Sequence, residues 1–241
     1  MTDAPEGGAA VPMGGANEAL RSLLFGTVPV EAWPEDDGGS SGEAWDEPWS
    51  LFVRARAHLR NGDQDLAIRE WSQIANPIFG WESRQVLQAW TFLRGQGIVP
   101  DASIAGEVLG VVVEIAMDGS HDVLAAYADR SVRFLHHLGG ATVVEEPLPE
   151  LQPHIDAMLA AGQALAAQIG PWTEPALPPL PAGSSRLAML TRAGPCFGQG
   201  PLEALVASPA AGELFTAATG LFQAVVALPP PTAPGAGTVG A

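Results

Sequence analysis

No lysine occurs anywhere in this chain, and its eleven basic side chains are all arginines. That absence excludes a Walker phosphate loop, which requires a lysine to reach the phosphates. It fits a coding bias toward GC, together with the abundance of Ala, Gly and Pro. A single cysteine, Cys196, excludes an intramolecular disulfide. No apolar run approaches the ~18 residues needed to span a bilayer, and the first residues show neither a charged segment nor an apolar stretch of the secretory type. Excess positive charge is also missing, since the formal net charge is −16. Residues 1–47 hold ten acids against Arg21 alone, and residues 48–241 hold seventeen against ten arginines. So acidic a surface repels phosphate backbones and anionic head groups. The expectation is a cytoplasmic protein whose partner is another protein rather than nucleic acid or membrane.

What is present begins with a β-rich centre. Val108, Leu109, Val111, Val112, Val113, Ile115 and Met117 are mostly β-branched or apolar, and Asp118-Gly119 supplies a hairpin turn. Asp122 to Ala128 reads as a second strand, Asp129-Arg130 as a turn, Ser131 to Leu138 as a third strand, and Gly139-Gly140 as a turn before Ala141 to Val144. The first strand is apolar on both faces except at Glu114, which predicts cover on both sides. A helix follows, with Leu151, Ile155, Met158, Leu159, Gly162, Leu165 and Ile169 on one stripe between Pro149 and Gly170-Pro171.

The fold expected is α+β. An antiparallel β-meander at about residues 108–145, with a further strand at 186–191, packs against helices, and a helical region precedes it. The organisation read from composition is a largely disordered acidic arm with a short helix over 1–47, a helical region over 48–98, an α+β domain over 99–228 and a disordered tail over 229–241. In the arm, Asn17 is placed as the cap of a helix ending at Gly26. The proline-rich stretch 171–181 reads as an extended crossover. The short link from Gly95 to Gly106 favours one compact unit.

Within 48–98, three helical segments are punctuated by Asn61-Gly62 and Pro77. In the first two, Leu51, Ala55, Ala67 and Trp71 match a large, small, small and aromatic spacing, and this pair resembles a single tetratricopeptide unit over residues 48–76. The resemblance implies a helical hairpin used for protein contact. Arg54 and His58 stand where that family usually carries apolar residues, and no second copy follows, which points to an ordinary helical hairpin docked on the sheet.

Candidate chemistry is sparse. Gly194, Gly198 and Gly200 lie in a strand–turn–helix order of the kind that cradles anions. A dinucleotide fingerprint starting at Gly198 would need glycine where Glu203 stands. Cys196 sits in the same turn with no local histidine, so a small apolar thiol is its default role. His121, Asp122 and Asp118 form an oxygen- and nitrogen-bearing turn, whereas adjacent His136 and His137 on a regular strand would face opposite ways and could not share one ion. No catalytic residue, cofactor or metal ligand is assigned. Trp33, Trp45 and Trp49 are the candidate interaction residues, and the Gly194, Cys196, Gly198 and Gly200 turn is the candidate ligand site. The reading of function is a non-enzymatic interaction or regulatory module. The alternative is a small-molecule sensor or an enzyme with a pocket near Gly194 to Gly200.

Overall fold

The computed structural model describes residues 13–35, 46–174 and 176–229. Their framework is one antiparallel sheet of six strands in the order β4-β3-β2-β1-β5-β6. The strands are β1 (Val108–Met117), β2 (Ser120–Tyr127), β3 (Val132–Leu135), β4 (Ala141–Val144), β5 (Ser184–Thr191) and β6 (Gly194–Pro201). The helices are α1 (Met13–Phe25), α2 (Trp49–Arg60), α3 (Gln64–Ala75), α4 (Ser83–Gly95), α5 (Ala102–Ala105), α6 (Gln152–Ile169), α7 (Leu202–Ala207) and α8 (Pro209–Val226). The fold is therefore α+β.

Alternation along the strands assigns each residue to one of two cores. Val112, Val123, Ala125, Tyr127, Ala188 and Leu190 meet the layer of α1 to α4, where Leu51, Phe52, Trp71, Ile74 and Leu93 are buried. Val111, Val113, Leu124, Ala126, Leu187 and Met189 face the other way and meet α6 and α8. Val111 and Val112 are neighbours in sequence, and both are fully buried in different cores. At about 1.5–3 kcal/mol for each fully buried aliphatic side chain, a strand apolar on both faces is stable only between two covering layers. The expectation of cover on both sides of β1 is met.

The residues carrying the tetratricopeptide-like spacing, Leu51, Ala55, Ala67 and Trp71, are all buried between α2 and α3 or against α4. The two departures lie on the outer face. Arg54 donates to Glu70 at 3.2 Å, and the His58 ring stands 3.7 Å from the same carboxylate. This hairpin shares its core with the sheet, because Leu109, Val112 and Tyr127 belong to the same apolar cluster. The Tyr127 hydroxyl donates to the Leu24 carbonyl at 2.7 Å, and burial pushes its pKa up.

Four differences from the sequence reading have physical causes. The sheet has six strands rather than five, because Gly194–Pro201 is an edge strand on β5 instead of a glycine-rich turn. An edge position tolerates its prolines, Pro195 and Pro201. β3 ends at Leu135, so His136 and His137 belong to the turn into β4. α1 starts at Met13 and runs through Asn17. Finally, residues 30–32 form a 3₁₀ turn, and Trp33 is buried, its ring 4.4 Å from Phe52 and 5.7 Å from Trp49. Leu24, Phe25 and Trp33 thus pack the arm on the body at these points; the tail from residue 230 lies outside the described residues.

Candidate functional site

A cavity of about 670 Å³ lies between α1, α4, the β5–β6 hairpin and the irregular strap that follows α6. The strap is held in two ways. Trp172 donates its backbone N–H to the Pro195 carbonyl at 2.8 Å and sets its ring edge-to-face on Phe197 at 5.1 Å. This close approach needs Gly194, whose φ is +130° and whose missing Cβ would stand 3.4 Å from the Trp172 carbonyl oxygen. Further along, the fully buried Arg186 donates to the Pro178 carbonyl and to Gln199 Oε1 at 2.6 Å.

Arg186 is also one arm of a buried charge cluster. Glu114 and Arg186 are directly opposed in the β1–β5 register, and Gln199 is the next neighbour across β6. Glu114 Oε2 accepts from Arg186 at 3.1 Å, and both side chains are fully buried. On the other side Arg21 of α1 donates to Glu114 at 2.5 Å. Desolvation holds the Arg186 pKa below the ordinary arginine value, and Glu114 partly offsets it. Two guanidinium groups thus converge on one carboxylate at the base of the cavity, where Arg21 forms part of the wall.

Arg94 supplies a second positive charge on the wall, from the last turn of α4. Its Nη1 donates to the Arg192 carbonyl at 2.7 Å and its Nη2 to Thr91 Oγ1 at 3.2 Å, and no carboxylate among the described residues pairs with it. Two of its five N–H groups are used in this way. Thr91 in turn reaches the Gly26 carbonyl at 2.7 Å, tying α4 to the end of α1. Burial lowers the Arg94 pKa without neutralising a group that stays protonated in proteins. The opposing acid on the wall is the exposed Glu174.

The residues singled out from sequence are distributed unevenly around this cavity. Gly194 is on its wall. Gly198 and Gly200 pair with Leu187 and Ser185 in the ladder. Cys196 faces the opposite core, buried against α6, and burial pushes its thiol pKa up. Four strand spacings, about 19 Å, separate its strand from β3, which excludes an imidazole partner from His136 or His137. Trp33 is committed to the core, Trp49 is half-buried on its edge, and Trp45 lies outside the described residues. Sequence reasoning missed Arg21, Arg94 and Trp172. Arg94 carries only the signal of a cation at a helix C-terminus, a place where arginine is ordinary.

A second cluster stands at the far end of the sheet. Asp122 Oδ1 accepts from the His137 backbone N–H at 2.7 Å and lies 2.8 Å from His137 Nδ1. The His136 ring is 4.2 Å from the His137 ring. Both imidazoles share this corner because β3 has already ended; the strand alternation that would separate them no longer applies. No helix among the described residues is long and apolar enough to cross a membrane. Comparison of the chain with protein-family models, curated proteins and solved structures finds no significant match.

Proposed function

We propose that the protein binds a small anionic molecule in the cavity between its helical layer and the β5–β6 edge, acting in the cytoplasm as a sensor or an enzyme. The observation that carries this reading is Arg94, an arginine on a cavity wall with no carboxylate partner among the described residues. A guanidinium with free N–H groups in a partly desolvated recess suits a carboxylate or phosphate, which it can engage in a bidentate manner. The volume is in the range of small-molecule sites. Trp172 adds an aromatic surface for the rest of the ligand.

The test is a thermal-shift screen against carboxylates and phosphate esters, repeated on Arg94→Met. A ligand at about 100 times its Kd stabilises the native state by about 2.7 kcal/mol, so the expected result is a rise in Tm with wild type that Arg94→Met loses. No shift from any anion, or an equal shift with the variant, sinks the reading. An interaction module is the second reading, with another protein rather than nucleic acid as partner. It is favoured by the 3₁₀ turn Pro77–Phe79, where Ile78 is 82% exposed and Phe79 49%.

A further inference from the structure

We infer that Asp122, His136 and His137 form a binding site for a divalent transition ion of the zinc class. One donor atom from each of the three residues lies within 4.8 Å of the others. A tetrahedral ion with bonds of about 2.0–2.1 Å holds its donors roughly 3.4 Å apart. The cluster therefore closes on an ion by side-chain rotations of about an ångström, which half-buried rings at a sheet corner can make. Two imidazoles and one carboxylate suit zinc and its neighbours, whereas Mg²⁺ and Ca²⁺ require mostly oxygen ligands. Three protein ligands leave a coordination position open.

The backbone assembles the three groups from parts of the chain that the sequence keeps apart. The β2–β3 register pairs Val123 with Leu135, and its continuation by one step brings Asp122 opposite His136. The turn into β4 is closed by His136 N–H to Gly140 O at 2.7 Å and Gly139 N–H to His136 O at 2.8 Å, and it swings His137 to the same corner. A structural staple explains part of this arrangement, since Asp122 Oδ1 holds both the His137 backbone and its ring. It does not explain the second imidazole. His136 Nδ1 accepts only a 3.2 Å bond from the Leu138 N–H at an exposed position, a contact that coordination would release at little cost. The single ring bond of His137 also leaves its other nitrogen, and Asp122 Oδ2, for further partners. Asp122 borders an apolar recess of about 210 Å³ walled by Phe134 and Phe222, so an ion here adjoins a space for an apolar ligand group.

The experiment titrates the metal-stripped full chain with Zn²⁺ while histidine ring ¹H–¹⁵N signals are recorded, then repeats calorimetric titration on His136→Gln and His137→Gln. The expected result is saturable perturbation of the His136 and His137 rings with His58 and His154 unmoved, and affinity at least about tenfold weaker in either variant. Mg²⁺ should leave all rings unmoved. Ring signals that do not respond, or that respond equally at all histidines, overturn the inference. Undiminished zinc affinity in both variants does so as well. The wild-type ring signals decide the matter even if a variant fails to fold.

Discussion

Arg186 ties three parts of the structure together. It joins β1 through Glu114, β6 through Gln199 and the strap through Pro178. Removing one member of a buried ion pair strands the other, at a cost of about 3–5 kcal/mol, whereas replacing both with apolar groups of similar volume is often neutral. Arg186→Ala should accordingly lower unfolding free energy in urea titration by up to that amount, Arg21 remaining as the second partner of Glu114. The double variant Glu114→Met with Arg186→Leu should lie much nearer wild type. A single variant as stable as wild type would mean that Arg21 alone satisfies Glu114. Cys196 needs no comparable partner, being a small buried thiol against Met189 in the ladder.

At the scale of elements, α6 lies against the sheet because Gly162 lets it. A Cβ built there would stand 2.5 Å from Val111 Cγ2, and Val111 is a fully buried β-branched residue of the central strand. Helix propensity favours alanine over glycine by about 1 kcal/mol, while overpacking a dense core costs about 1–3 kcal/mol. Sterics should win. Gly162→Ala is expected to be destabilised on balance by chemical denaturation, with the helix content unchanged by circular dichroism. Stabilisation would show that α6 can shift outward freely. The same glycine was legible in sequence as a member of the apolar stripe, but its contact with Val111 was not, since no periodicity reports which residue of a neighbouring element lies beneath. β6 shows the opposite failure. Gly, Pro and Gln are poor strand residues, and Gly194–Pro201 reads as a turn until β5 is there to pair with it.

For the whole molecule, the two cores meet through one sheet, and β1 contributes adjacent residues to each. Unfolding should be a single cooperative event. Six of the seven tryptophans precede residue 91 and Trp172 alone lies beyond it, so fluorescence reports mainly the helical layer while far-ultraviolet circular dichroism reports all elements. Coincident transitions are expected. A fluorescence transition at lower denaturant would identify the helical layer as a separately folding domain.

Hydrophobic period and the turn residues Asp118-Gly119 determined the β1 and β2 strands, the hairpin between them, the helix after β4 and the α+β class, because these depend on local spacing and local turn chemistry. Tertiary structure decided the rest. The packing of Trp33, the pairing of β6, the placing of Arg94 on a cavity wall against the Arg192 carbonyl and the meeting of Asp122 with two histidines all join residues from different elements. Such meetings are set by register, by where a strand stops and by what a neighbouring layer covers, and none of these is written in the spacing of one segment.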